Sequence, residues 1–168
     1  MKRSLIAVLL LLTAITHIRA QVSQEPTYKR FPTLPPFTLL GIDSSTIITR
    51  DDLPKHRRTL IMYFSPDCDH CQHQTEDMLK KIEQLKKINI VMATWQPFED
   101  MVAFYKRYNI GSYPNIVIGR DTKYFFAPFY QLRNLPYLAL YDAKRNLITT
   151  FEGNASVDKL LKAFDKKN

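Results

Sequence analysis

The feature that most constrains this chain is its cysteine usage: Cys68 and Cys71 are the only two cysteines in 168 residues, and just Asp69 and His70 separate them. Immediately upstream, Thr59-Leu60-Ile61-Met62-Tyr63-Phe64 is a short apolar run rich in β-branched and aromatic residues, the pattern of a buried strand. Downstream, Met78, Leu79, Ile82 and Leu85 recur at helical spacing with charged residues between them, which predicts an amphipathic helix. Acid-to-base pairs one turn apart, Glu76 with Lys80, Asp77 with Lys81 and Glu83 with Lys87, point the favourable way along it. The cysteines therefore fall where a strand gives way to a helix.

That position has a chemical consequence. Unpaired amides at a helix N-terminus favour an anion, and the thiolate is the form of cysteine that attacks disulfides. Cys68 is placed to be that thiolate, with Asp67 as the expected helix N-cap. Cys71, one turn on, is near enough to close a disulfide back onto it, so the pair can cycle between dithiol and disulfide. Competing chemistries fit less well. A structural bridge across so small a ring would crosslink almost nothing. Haem attachment needs histidine directly after the second cysteine, where Gln72 stands. A structural zinc site wants four ligands, and only His70 and His73 lie nearby. Copper(I), which suits soft thiolates and imidazole, is the better metal alternative. The dithiol reading itself needs no cofactor and no metal.

The strand, Cys-x-x-Cys and helix together resemble the thioredoxin superfamily, in which such a pair follows a central strand and opens a helix. The motif here is Cys68-Asp69-His70-Cys71, with histidine before the second cysteine as in bacterial disulfide-forming oxidases, whereas thioredoxins usually carry proline there. Asp67 stands where the family commonly has tryptophan. The proline and threonine that a resemblance to peroxiredoxins would require upstream of the cysteine are not in place. The resemblance implies an α/β, thioredoxin-like fold: a central mixed sheet flanked by helices, spanning about Phe37 to Phe164.

The chain opens with an address. Lys2 and Arg3 precede an apolar run from Leu5 to Ile15, and Thr16 to Ala20 turns polar, the layout of a secretory signal peptide over residues 1–20. The run is short for a membrane span, so a membrane association is expected only if this segment is retained as an anchor. Export, periplasmic or extracellular, puts the thiols in an oxidising compartment, where two cysteines in one motif read as a redox pair rather than as a structural framework. Loss of Lys2, Arg3 and Arg19 with the signal lowers the formal charge from +8 to +5. The remaining basic residues are spread over several surfaces without a nucleic-acid motif, which points away from nucleic-acid partners.

Residues 21–36 carry Pro26, Pro32, Pro35 and Pro36 and read as a linker or extended lead-in to a domain over 37–168. Phe37 to Ile42 and Ile47 to Thr49, joined by Asp43-Ser44-Ser45, predict a hairpin. An N-terminal hairpin of this kind resembles exported thiol–disulfide oxidoreductases of the TlpA type and related redoxins. Ile88 to Trp95 reads as a strand, Pro97 opens a helix bearing Met101, Val102, Phe104, Tyr105 and Tyr108, and Asn115 to Ile118 reads as a strand. Tyr124 to Leu132 predicts a short helix around Pro128, a central insertion matching TlpA-like proteins in place only. Two strands follow, Leu135 to Asp142 and Leu147 to Phe151, and Val157, Leu160, Leu161 and Phe164 mark a closing helix capped by Ser156 or Asn154. Asn154-Ala155-Ser156 also fits a glycosylation sequon, for which a helix cap is the better reading.

Proline at the mouth of a strand needs an explanation. In the superfamily a cis-proline begins the strand facing the Cys-x-x-Cys, and the peptide before it pairs with an extended substrate. The resemblance assigns these roles to Pro136 and Leu135, with Pro114 the second candidate. The expected site is thus Cys68, Cys71, His70 and Pro136, with Leu135 and Pro136 contacting substrate. Cys68 attacks and Cys71 resolves. Family members often deprotonate the second thiol with a glutamate three residues past it, where this chain has Gln74, leaving His73, Glu76 or water as candidates. Asp67 and Asp69 oppose a thiolate at Cys68 while the helix amides and a protonated His70 favour it, so the sign of any net shift stays open. The expected function is an exported thiol–disulfide oxidoreductase acting on protein thiols or disulfides with a redox partner protein. A copper(I) chaperone and a binding domain with incidental cysteines are the alternatives.

Overall fold

In the computed structural model, residues 25–166 are described, so the expected signal segment lies outside the described residues. A seven-stranded mixed sheet runs in the order β2-β1-β5-β4-β3-β6-β7, built from β1 (Thr38–Leu40), β2 (Ile47–Thr49), β3 (Thr59–Tyr63), β4 (Asn89–Thr94), β5 (Ile116–Arg120), β6 (Tyr137–Tyr141) and β7 (Leu147–Glu152). Strands β3, β4 and β5 pair in parallel, while β6 joins β3 antiparallel and β7 continues as a hairpin. The β1–β2 hairpin closes the other edge by pairing antiparallel to β5 at Leu40 and Arg120. Gly119 permits that approach, because a Cβ there would sit 2.7 Å from the Leu39 Cβ.

Strands β3, β4 and β6 are buried at every position because helices or loops cover both of their faces. Leu60, Met62, Phe64, Ile90, Met92, Leu138 and Leu140 project to one side. There they meet Cys71 and Met78 of α2 (Asp69–Lys80), Met101 and Phe104 of α4 (Phe98–Arg107), and Leu160 and Phe164 of α6 (Val157–Asp165). The alternate residues Ile61, Tyr63, Val91, Ala93, Tyr137, Ala139 and Tyr141 project to the other side, onto Leu34, Phe37 and Leu39 and onto Phe126, Phe129 and Tyr130 of α5 (Phe126–Tyr130). The predicted insertion helix exists, and its aromatic residues pack on the sheet: Phe126 stacks on Tyr130 at 5.9 Å, and Tyr130 meets Tyr137 of β6 in a tilted pair at 4.9 Å.

Two expectations are corrected. The first helix is not continuous to Lys87: it ends at Lys80, Lys81 turns (φ −114°, ψ 25°), and a single turn, α3 (Ile82–Leu85), follows. The break turns the chain so that Leu85 and Ile88 reach the core. The expected pairs one full turn apart do not form, because Lys81 reaches Asp158 at 2.8 Å instead, while Lys80 meets Asp77 and Lys86 meets Glu83. All are exposed and contribute little stability. Residues 25–36, expected as a linker or extended lead-in, pack onto the domain. A turn of helix, α1 (Thr27–Arg30), lays Tyr28 on Tyr130 at 5.7 Å, and Leu34 donates its N–H to Arg145 while Leu147 donates to Pro32.

Asp121, just past β5, ties the insertion to the sheet. It is buried, and its carboxylate accepts the backbone N–H groups of Phe125 and Phe126 at 3.0 Å each and the Tyr63 hydroxyl at 3.4 Å. Asp121→Ala leaves two amides and a hydroxyl without their partner. The expected cost is about 2–3 kcal/mol in urea denaturation, with Asp121→Asn losing less.

Candidate functional site

The backbone leaves the sheet at Phe64, whose N–H still bonds to the Ala93 carbonyl at 3.0 Å, and turns through Ser65-Pro66-Asp67 into α2. Cys68 is the N-cap, with extended backbone (φ −84°, ψ 116°), and its carbonyl accepts the first helical bond from Gln72 at 3.0 Å. This corrects the expectation that Asp67 caps the helix. Asp67 is exposed one residue too early, and Gln72 reaches back from the first turn to the Pro66 carbonyl at 2.8 Å. No side chain caps the first amides of α2, so they remain directed at the cysteine end.

The structure holds the dithiol form: both cysteines are free and approach to 3.2 Å. They differ in environment. Cys68 is half-buried, whereas Cys71 is fully buried against the helical side of the core. Burial pushes the Cys71 thiol far above the ordinary thiol range; the Ser65 backbone opposes this and the neighbouring Cys68 thiol adds to it. His70 is exposed, and its role in the fold is through its carbonyl, which accepts the Asn154 side-chain N–H at 2.7 Å.

Pro136 follows the one cis peptide bond among the described residues, Leu135–Pro136, whereas the bond before Pro114 is trans and Pro114 is exposed. Register fixes its place. Tyr137 pairs with Tyr63, so Pro136 sits across from the point at which the chain leaves β3 for the cysteine turn. The Pro136 carbonyl accepts the Gly153 N–H at 2.8 Å, and Gly153 makes the turn out of β7 with φ +78°, a conformation glycine adopts without strain. Among the described residues, neither the N–H nor the carbonyl of Leu135 has a backbone partner. The Leu135 side chain is half-buried and packs against both sides of the core.

Sequence reasoning registered Gln74 only as a missing glutamate. In the structure it is buried, donates to the Ala155 carbonyl at 3.1 Å and accepts the Ala155 N–H at 2.8 Å. An amide suits this two-way bond because it carries both donor and acceptor. With Asn154 on His70, it fastens the first turns of α2 to the loop after β7, a long-range pairing that no local pattern signals. Ser156 then caps α6 by accepting the Lys159 N–H at 3.3 Å, as expected. Of the other candidates for deprotonating Cys71, His73 is exposed and Glu76 accepts the Tyr108 hydroxyl at 3.4 Å. Among the described residues no group of three or more His, Cys, Asp or Glu side chains could hold a metal ion, and no helix is long and apolar enough to cross a membrane.

No family profile and no curated protein matches the sequence. Solved structures do match. The exposed lipoprotein thioredoxin Etrx1 of Streptococcus pneumoniae superposes with a TM-score of 0.65 at 18% identity, over 79% of this chain and 100% of that one. A secreted Mycobacterium tuberculosis disulfide oxidoreductase homologous to E. coli DsbE gives 0.63 at 16% identity, over 77% and 94%. StoA of Bacillus subtilis gives 0.59 at 16% identity, over 79% and 98%. The chain has a thioredoxin-like fold. At these identities the likeness establishes the fold, and within that fold the chain leaves β3 for the cysteines at the same end at which it enters β6 through cis-Pro136.

The buried Cys71 thiol couples pH to stability. Its folded pKa lies above its unfolded one, so the contribution is fully present below the ordinary thiol range, roughly 8–9, and is lost as pH rises through and beyond it. The reduced protein should therefore lose stability relative to the oxidised protein between about pH 8.5 and 10, measured by denaturant midpoints. The buried tyrosines Tyr63, Tyr130, Tyr137 and Tyr141, also shifted upward by burial, contribute to both forms and cancel in that difference.

Proposed function

We propose that the chain is an exported thiol–disulfide oxidoreductase that exchanges disulfides with protein substrates through Cys68 and Cys71. The observation that carries this reading is the asymmetry of the pair: two free thiols 3.2 Å apart, one half-exposed at a helix N-cap and one buried behind it. A structural pair has no use for that asymmetry, whereas an attacker needs access and a resolver needs protection from competing substrates. The secreted mycobacterial oxidoreductase of the same fold agrees with the reading, as does the signal-like segment at residues 1–20.

In the proposed cycle the Cys68 thiolate attacks one sulfur of a substrate disulfide. A mixed disulfide forms, and the substrate's second sulfur departs as a thiolate and takes a proton. Cys71 loses its proton and attacks the Cys68 sulfur. The products are a reduced substrate and a Cys68–Cys71 disulfide, two electrons having passed from the protein to the substrate. Run in reverse, with a substrate dithiol, the same steps oxidise it. Cys68 presents its sulfur at the start of α2, beside amides that no side chain caps. High burial keeps Cys71 protonated until the mixed disulfide forms beside it, with the proton then leaving to water or to a nearby base. Leu135, with its free backbone groups before cis-Pro136, is the proposed anchor for an extended substrate strand. His70, exposed and next to Cys71 in sequence, is the remaining proposed member of the site.

Cys71→Ser should leave an attacker without a resolver and accumulate mixed disulfides with other proteins, separable on non-reducing gels. Cys68→Ser should accumulate few. Equal trapping by both variants, or trapping only by Cys68→Ser, would overturn the assignment of Cys68 as the nucleophile.

A further inference from the structure

Beside the cysteine end of the sheet, on the face away from α2, lies a cavity of about 300 Å³ whose lining includes Tyr63, Trp95, Tyr124, Ala127, Arg133, Asn134 and Leu135. The stacked Tyr63 and Trp95 rings, 5.4 Å apart, supply an aromatic wall. Tyr124, held at φ +51° and 56% exposed, stands at the rim as one of the few large apolar side chains left in solvent. The cavity is lined by Leu135, the residue whose free backbone groups are the proposed anchor for the substrate strand.

We propose that this cavity is a side-chain subsite that selects substrate proteins carrying a bulky apolar residue, aromatic by preference, near the reacting cysteine, with an acidic neighbour facing Arg133. This rests on the oxidoreductase reading and adds to it a substrate class. The volume sits at the lower bound of small-molecule sites, roughly 300 Å³, and suits one large side chain better than a cofactor. Aromatic walls favour an aromatic guest through offset or edge contacts. Arg133 is exposed, and no ion pair satisfies it among the described residues, so an acidic group on the substrate is its natural complement. Asn134, by contrast, is already committed to Glu152 at 3.1 Å.

The test uses the Cys71→Ser protein and peptides with one cysteine activated as a mixed disulfide with an aromatic thiol, so that capture on Cys68 releases a coloured thiolate. Two otherwise identical peptides carry Phe or Ser beside the cysteine, and a second pair carries Asp or Lys next to the Phe. The Phe peptide should be captured at least about tenfold faster than the Ser peptide, the discrimination one apolar pocket provides. Ala127→Trp, which fills the cavity from α5, should bring that ratio towards one, and the exposed Arg133→Glu should invert the preference between Asp and Lys. Ratios within one protein cancel any general change in reactivity. A Phe-to-Ser ratio near one in the parent, or a preference that Ala127→Trp leaves intact, overturns the subsite while capture itself upholds the dithiol reading. Failure to capture any peptide, or a small aromatic disulfide, overturns the dithiol reading itself.

Discussion

The antiparallel pairing of β6 with β3 is the constraint on which the site depends. Its register, Tyr63 opposite Tyr137 through Thr59 opposite Tyr141, aligns the end of β3 with the beginning of β6. The chain that leaves β3 turns into the cysteines, and the chain that arrives at β6 does so through cis-Pro136. Residues separated by more than sixty positions are thereby made neighbours. A slip of one residue would exchange the faces of β6, driving Leu138 and Leu140 into the aromatic side and Tyr137 and Tyr141 into the helical side. Both faces are buried, so neither arrangement could be rescued by solvent, and the register is correspondingly fixed.

The two sides of the sheet then divide the labour. On the helical side, small differences in depth separate the cysteines: Cys68 caps α2 and keeps partial access, while Cys71, three residues later, points into the core beside Phe64 and Met78. Gln74 and Asn154 hold the beginning of α2 against the loop after β7, so the turn bearing Cys71 is pinned from both the sheet and the loop. On the other side, α5 is only five residues long and has no propensity to stand alone. It is retained by Asp121 and by aromatic packing, which also leaves the rim of Tyr124, Leu132 and Arg133 next to Leu135.

Local signals carried much of this into the sequence. The β3–Cys-x-x-Cys–α2 junction was legible because apolar run, motif and amphipathic period lie within about thirty residues, and the β6–β7 hairpin because its turn residues are flanked by β-rich segments. Pro136 was legible only through resemblance to a superfamily, since proline alone does not specify its isomer. What stayed hidden depends on contacts distant in sequence. The break at Lys81 follows from the need to return Leu85 and Ile88 to the core, and Lys81 finds its partner at Asp158, well outside any helical window. Residues 25–36 look like a linker by composition, yet Tyr28 and Leu34 have receptors on the domain that composition does not reveal.

The position of Gln74 bears on how the second thiol is released. A carboxylate at that place could take a proton, but it could not both donate to and accept from the Ala155 backbone as the amide does. The chain thus has a neutral clamp at this position, and the Cys71 thiol is left in a buried environment, with His73 exposed and Glu76 accepting the Tyr108 hydroxyl. Burial alone would make a slow resolver. A mixed disulfide at Cys68 changes this, because the attacked sulfur lies beside Cys71, which makes the attack intramolecular, and the electron pair of the broken bond leaves with the substrate's sulfur. In the oxidising direction the substrate's second thiolate attacks the substrate sulfur of the mixed disulfide and Cys68 departs, so the uncapped amides of α2 face the leaving sulfur in that direction, and Cys71 depends on proximity rather than on a dedicated base.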